Sequence, residues 1–226
     1  MLLAIDTATR WTGLAIHDGR AIVAELGWRD GGRQTVELAP AVADLLRRTG
    51  IEATDLAAVA VANGPGSYTG LRIGLGFAKG LAAANHVKLI GVPTLDIVAA
   101  EQPFTQEPLV VVIEAGRTRI WSGAYRWQAG KGWQSDGQPV NGDWPALLAG
   151  MEEPVVFAGE IAPGAAKAIK AANKAHQIVS AAGMVRRAGY LAELGWMRLR
   201  RGWTDDPRTL APVYMRGPSG GQSTDA

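Results

Sequence analysis

Residues 57–84 read AAVAVANGPGSYTGLRIGLGFAKGLAAA. Ala57 to Ala62 is an unbroken run of small and β-branched apolar residues, the pattern of a strand covered on both faces. Asn63 to Gly70 is a glycine-rich loop: Pro65 fixes φ, Gly66 tolerates positive φ, and Ser67 or Thr69 can cap the next helix. Leu71 to Ala84 predicts that helix. Strand, tight loop and helix in direct succession point to an α/β protein. The loop itself (Gly64, Pro65, Gly66, Ser67, Thr69, Gly70) has two readings. It aims N–H groups at an anion from a helix N-terminus, or it is a rigid turn that shapes the start of the helix. No Gly-Lys-Ser/Thr comes after it, so it is not a phosphate-binding P-loop.

The helix carries Gly74, Gly76 and Gly80 in its interior. Each costs roughly 1 kcal/mol relative to alanine, so something must offset them. Gly70 and Gly74 form one pair four residues apart, and Gly76 and Gly80 another; such smooth stripes let a second backbone approach closely. Only Arg72 and Lys79 are charged, leaving the helix apolar almost all round. An earlier helix, about Thr35 to Arg48, has a stripe of Leu38, Val42 and Leu45 widened by Ala39, Ala43 and Leu46. Two neighbouring helices too apolar for a free surface suggest an interface with a partner chain. The expected contact set is Leu38, Val42, Leu45, Leu71, Gly74, Leu75, Gly76, Ala78, Gly80 and Leu81. The competing reading is that the rest of this chain covers them.

Working outward, Leu2 to Ile5 is a short strand closed by Asp6. Thr12 to His17 and Arg20 to Leu26 flank Asp18-Gly19, a strong hairpin signal. Residues 28–34 read as a loop, with Thr35 as the N-cap of the first helix and Gly50 as its end. Beyond the central segment come a strand over Lys88 to Val92 and a helix over Thr94 to Glu101, capped by Thr94. Antiparallel strands followed by β–α alternation predict mixed sheets flanked by helices. Residues 102–108 (QPFTQEP) contain two prolines and mark a boundary. The expected division is an N-terminal domain over 1–102, a C-terminal domain over 103–216 and a disordered tail over 217–226. The second half opens as the first does. Val112-Ile113-Glu114 and Trp121-Ser122-Gly123 echo Ala4-Ile5-Asp6 and Trp11-Thr12-Gly13, which suggests internal duplication. Later elements read as helix 144–150, strand 154–158, helix 164–175 and a long helix 184–201.

Composition narrows the function. The chain has 226 residues, 47% hydrophobic and 19% charged, enough for a packed core of one large or two small domains. Its 29 glycines follow no collagen period. Cysteine is absent, which removes disulfides, thiol catalysis and thiolate metal sites. The formal net charge of +2 is too small to drive sequence-independent nucleic-acid binding by itself. None of His17, His86 and His176 lies within four residues of another, so no helical metal pair exists, and no Gly-x-Ser-x-Gly element supports a nucleophilic serine. The opening MLLAIDTATR is interrupted by Asp6 and is not a signal peptide. No stretch approaches the roughly 18 uncharged apolar residues of a membrane helix. A cytoplasmic location is expected.

Asp6, Thr7 and Thr9 on the first turn, with Glu114 at the matching place in the second half, have two readings. They face a nucleotide-linked Mg²⁺, or Asp6 merely caps its turn. The first glycine after Asp6 is Gly13, too late for a close phosphate grip, so the group reads as a vestigial nucleotide loop. Arg186, Arg187, Arg198, Arg200 and Arg201 either touch RNA phosphates or form a solvated helix face.

Four segments together carry a resemblance. Leu3-Ala-Ile-Asp-Thr-Ala-Thr9, Asn63 to Gly76, Gly91-Val-Pro-Thr-Leu95 and Pro212-Val-Tyr-Met-Arg216 are similar to the bacterial TsaB (YeaZ) family. The resemblance implies a duplicated ribonuclease-H-like two-domain fold of the actin, sugar kinase and Hsp70 superfamily. It also implies a non-catalytic scaffold for threonylcarbamoylation of adenosine 37 in tRNAs reading codons that begin with adenine. The partners it implies are the catalytic paralogue TsaD, the ATPase TsaE and, without TsaD, a second copy of the chain. Contact with tRNA would be indirect, with no cofactor, metal or membrane. The metal-binding histidines of TsaD would fall near Arg33 to Leu38, where this chain has none. Two other functions stay open from the residues: an autonomous ATP-dependent kinase or ATPase of the same fold using Asp6 and Glu114, and a direct tRNA-binding module.

Overall fold

A computed structural model describes residues 1–116 and 118–213. The tail expected over 217–226, and Tyr214 to Arg216 before it, lie outside the described residues.

The first sheet grows from β1 (Leu2–Asp6), buried at every position. It pairs antiparallel with β2 (Trp11–His17), which sets Asp6 opposite Gly13. The Asp18 carboxylate accepts from the N–H groups of Arg20 and Ala21 and closes the turn into β3 (Ile22–Arg29). That strand continues into residues that sequence reading assigns to a loop. On the other side of β1 lie β4 (Ala58–Gly64) and β5 (Lys88–Pro93), both parallel, for an order of β3-β2-β1-β4-β5.

Alternation along these strands builds two different faces. Leu3, Ile5, Leu14, Ile16, Val59 and Val61 point to one side, against Leu38, Val42 and Leu45 of α1 (Gln34–Thr49) and Leu75, Ala78 and Ala82 of α2 (Tyr68–Asn85). The other face is mostly alanine: Ala4, Ala15, Ala58 and Ala60 lie with Leu2 against Ala188, Leu191 and Ala192 of α6 (Ala188–Arg200). Small residues bring that helix unusually near, for a Cβ on Gly195 would stand 2.6 Å from the Ala60 Cβ. By chain order α6 belongs to the second half, yet it completes the core of the first. Between the sheets lies α3 (Thr94–Glu101), whose Leu95, Val98 and Ala99 join the core of the second.

That second sheet starts from β6 (Leu109–Glu114), paired antiparallel with β7 (Ile120–Gln128). Short β8 (Gly132–Ser135) and β9 (Val140–Gly142) both pair with β7. Helix α4 (Trp144–Ala149) leads to β10 (Val156–Gly159), parallel to β6, then α5 (Pro163–Ala172) and β11 (Gln177–Ile178). Read in reverse, the order β11-β10-β6-β7-β8 repeats that of the first sheet, with β9 as an extra strand on β7, so the two halves share one topology. Among the described residues no helix is long and apolar enough to cross a membrane.

Several local expectations are corrected. Arg33, not Thr35, precedes α1 and offers no side-chain cap. Thr94 stands inside α3 with its hydroxyl buried and unpartnered. Of the two caps read for α2, Ser67 is borne out, accepting from Gly70 N–H at 3.2 Å. The expected long helix over 184–201 starts only at Ala188, and Met184 ends a separate 3₁₀ turn.

Candidate functional site

The turn after β1 is where the predicted residues meet. Asp6 ends the strand with 3% exposure, and one carboxylate oxygen accepts from Ala8 N–H at 3.0 Å. Thr7 Oγ1 donates to the Gly70 carbonyl at 2.7 Å, and Thr9 Oγ1 accepts from Trp11 N–H at 3.2 Å. Gln34, the first residue of α1, donates from Nε2 to the Thr9 carbonyl and to Thr12 Oγ1 at 3.2 and 3.1 Å. The glycine-rich loop presses onto this turn from above. Ser67 N–H donates to the Ala8 carbonyl at 2.6 Å. A Cβ on Gly66 would overlap the Ala8 carbonyl, one on Gly70 the Thr7 carbonyl, and one on Gly74 the Thr7 hydroxyl. These glycines serve a close approach of the loop and α2 to the Thr7–Ala8 turn within the chain.

The second oxygen of Asp6 is taken by Arg186. That guanidinium comes from the segment just before α6, 180 residues away, and both side chains are 4% exposed. Its Nε and Nη1 have no partner. Two adjoining hollows of about 490 and 680 Å³ open in front, sharing Thr9, Arg10, Glu114 and Glu160 in their walls; Arg186 lines the first, and Asp6 lines neither. Glu114 N–H donates to Glu160 at 2.8 Å. Burial pushes the Glu160 carboxyl above the usual range, against the pull of the Arg186 charge. Burial likewise pushes Glu101, at the end of α3, up to about 7, opposed by the Arg187 N–H and by both guanidiniums. Glu114 itself is partly exposed, 3.8 Å from Arg10.

Chemically this is a cross-tie. Both oxygens of Asp6 are spent on a backbone N–H and a fixed internal cation, so Asp6 and Glu114 are not brought together as a pair facing a metal. The turn-cap reading of Asp6 describes its geometry. Sequence reading missed Gln34, Glu160 and the role of Arg186. The first was placed in the loop over 28–34, one residue before the expected helix, so nothing in the sequence marked it.

The expected arginine cluster divides. Arg186 is buried on Asp6, Arg187 pairs with Glu25 at 2.6 Å, and Arg198 reaches the Gly91 carbonyl and lies 4.0 Å from Asp96. Arg200 and Arg201 carry no ion pair among the described residues. It is therefore not a single phosphate-facing stripe.

The helix-face expectation is corrected in part. Leu38, Val42, Leu45, Leu71, Leu75 and Ala78 are at most 5% exposed, beneath their own helices, and Gly74 abuts Thr7; none is available to a partner. The burial follows from the hydrophobic stripe serving the chain's own sheet first. Gly76 and Gly80 lie on the opposite side of α2, where a Cβ on either would have no atom within 4 Å. Around them Ile73, Phe77 and Leu81 are only half-buried, and on α1 Val36 is 61% exposed.

Against known proteins, the family described as "TsaD: tRNA N6-adenosine threonylcarbamoyltransferase" matches residues 33–137. The chain is 32% identical over 160 residues to the tRNA threonylcarbamoyladenosine biosynthesis protein TsaB of Bacillus subtilis, covering 70% of each. It is 43% identical over 96 residues to the Escherichia coli protein of the same name, covering 42% of this chain and 40% of that one. Among solved structures, YeaZ from Pseudomonas aeruginosa superposes with a TM-score of 0.76 at 25% identity, covering 94% of this chain and 99% of that one.

Proposed function

This chain belongs to the TsaB family of tRNA threonylcarbamoyladenosine biosynthesis proteins, and on that premise we propose that it is the scaffold subunit of a threonylcarbamoyltransferase complex. Its fold is the duplicated one of the actin, sugar kinase and Hsp70 superfamily. It is a non-catalytic paralogue of the TsaD-type transferase. It serves threonylcarbamoylation of adenosine 37 in tRNAs reading codons that begin with adenine. It holds a TsaD-type partner in its competent shape, and a TsaE-type ATPase joins the pair. Without the partner, two copies of the chain associate through the same face.

The observation that carries the reading is the Asp6–Arg186 pair. The carboxylate that an active member of this fold would turn to a nucleotide's metal is consumed internally, which leaves binding as the work of the molecule. The surface offered is the outer face of α1 and α2, where Gly76 and Gly80 leave open space beside half-buried Ile73 and Phe77 on α2 and Val36 is exposed on α1. A Cβ at either glycine has no neighbouring atom within 4 Å, so Gly76→Leu and Gly80→Leu are expected to fold normally, which a thermal melt checks. Calorimetric titration against the TsaD-type protein of the same organism is expected to show at least tenfold weaker binding by both. Unchanged affinity in both variants removes the interface from this face.

A further inference from the structure

A second surface lies on the far side of the molecule from that helix face. It is a groove of about 770 Å³ between the β7–β8 turn and the end of α6. Three indoles line it: Trp127, Trp133 and Trp203. Trp203 is 60% exposed and Trp127 39%. With Phe104, 57% exposed and 5.4 Å from the Trp127 ring, these indoles place several large apolar side chains at the surface in one region. Trp133 is fixed, donating from its ring N–H to the Gln102 carbonyl at 3.0 Å and meeting Trp127 edge to face at 5.5 Å. The guanidinium of Arg201 rests 5.2 Å from the Trp203 ring centre.

Charge on the groove is one-sided. Lys131, at the β7–β8 turn, and Arg201 have no carboxylate partner among the described residues. The carboxylate in the wall, Asp96, accepts from Tyr125 Oη at 2.8 Å and faces Arg198 at 4.0 Å. Burial raises this carboxyl above its usual range, against the Tyr125 hydrogen bond and the Arg198 charge that hold it down, and both of those partners are turned toward it within the wall. Two exposed indoles beside cations that carry no ion pair, one of those cations lying over the Trp203 ring, match unstacked bases joined by phosphates.

We propose that this groove binds a single-stranded RNA segment directly, bases against Trp203 and Trp127 and phosphates against Lys131 and Arg201. The choice of RNA over other polyanions rests on the function proposed above, while the groove chemistry stands apart from it. The chain would then not only brace its partner but also hold part of the substrate.

The test is fluorescence anisotropy of a labelled, unstructured 12-nucleotide RNA titrated with the full chain at several salt concentrations. Binding is expected at low salt, with log K falling against log salt at a slope of about −1.4, as for two phosphates on a single strand. Trp203→Ala is expected to weaken binding about tenfold, and Lys131→Gln and Arg201→Gln each severalfold, with unchanged melting temperature. Because both cations are on the surface, folding failure does not confound them. All three variants should still bind the TsaD-type protein normally, which separates this site from the helix face. No binding to the RNA, equal affinity for its duplex, or wild-type affinity in all three variants overturns the proposal. So does binding of a glutamate-rich peptide at the same groove with none of the RNA.

Discussion

Arg186 and Asp6 show how one side chain redirects a site. A carboxylate at the end of a first strand is legible as a turn cap, because Ala8 is two residues away and the hydrogen bond is local. The cation that completes it is 180 residues distant, and no spacing rule reaches that far. Among five arginines in the last third of the sequence nothing distinguishes Arg186 from Arg200 before the chain is folded. Yet one is 4% exposed on an acid and the other has no ion pair among the described residues. Removing one member of a buried ion pair strands the other charge. Arg186→Met is therefore expected to lower unfolding free energy by about 3–5 kcal/mol. Adding Asp6→Asn should restore most of that loss, since the pair is then replaced rather than broken. Urea denaturation of the single and double variants reads both. Equal losses would mean the pair does not hold the halves together.

At the level of elements, α2 has glycines of two kinds on one helix. Gly74 abuts Thr7, while Gly76, about 200° further round the axis, faces open space. Periodicity makes the two stripes visible in the sequence but does not say which one meets the sheet, so the inner residues Leu71, Leu75 and Ala78 read equally well as outward. The distinction is measurable within the isolated chain. Gly74→Ala is expected to cost about 1–3 kcal/mol, because the Thr7 side chain must move. Gly76→Ala should instead stabilise by about 0.5–1 kcal/mol through helix propensity. Thermal melts of the two variants shifting the same way would contradict this assignment. The long, uniform elements were all legible: β1, β4, β6 and the helices α1 and α2 stand where their apolar runs place them. Short β8, β9 and β11 were not, because four residues or fewer, half-buried at best, leave no alternation to read.

Across the whole molecule, the repeated strand order makes two alike halves, but the cores are not closed separately. Leu191 and Ala192 are fully buried against Leu2, Ala4 and Ala60, and fully burying one leucine alone contributes roughly 1.5–3 kcal/mol. A chain cut after Val179 keeps all the strands of both sheets and loses α6. It is expected to bind a hydrophobic dye and to melt without a cooperative transition, unlike the full chain. Cooperative melting of the shorter form would show the first sheet to be self-sufficient. The return of α6 also sets an order of events during synthesis. The alanine face of the first sheet leaves the ribosome long before α6, which begins only at Ala188 whereas β4 ends at Gly64. For all that interval of synthesis the opening sheet lacks the helix that closes it and is exposed to wrong neighbours.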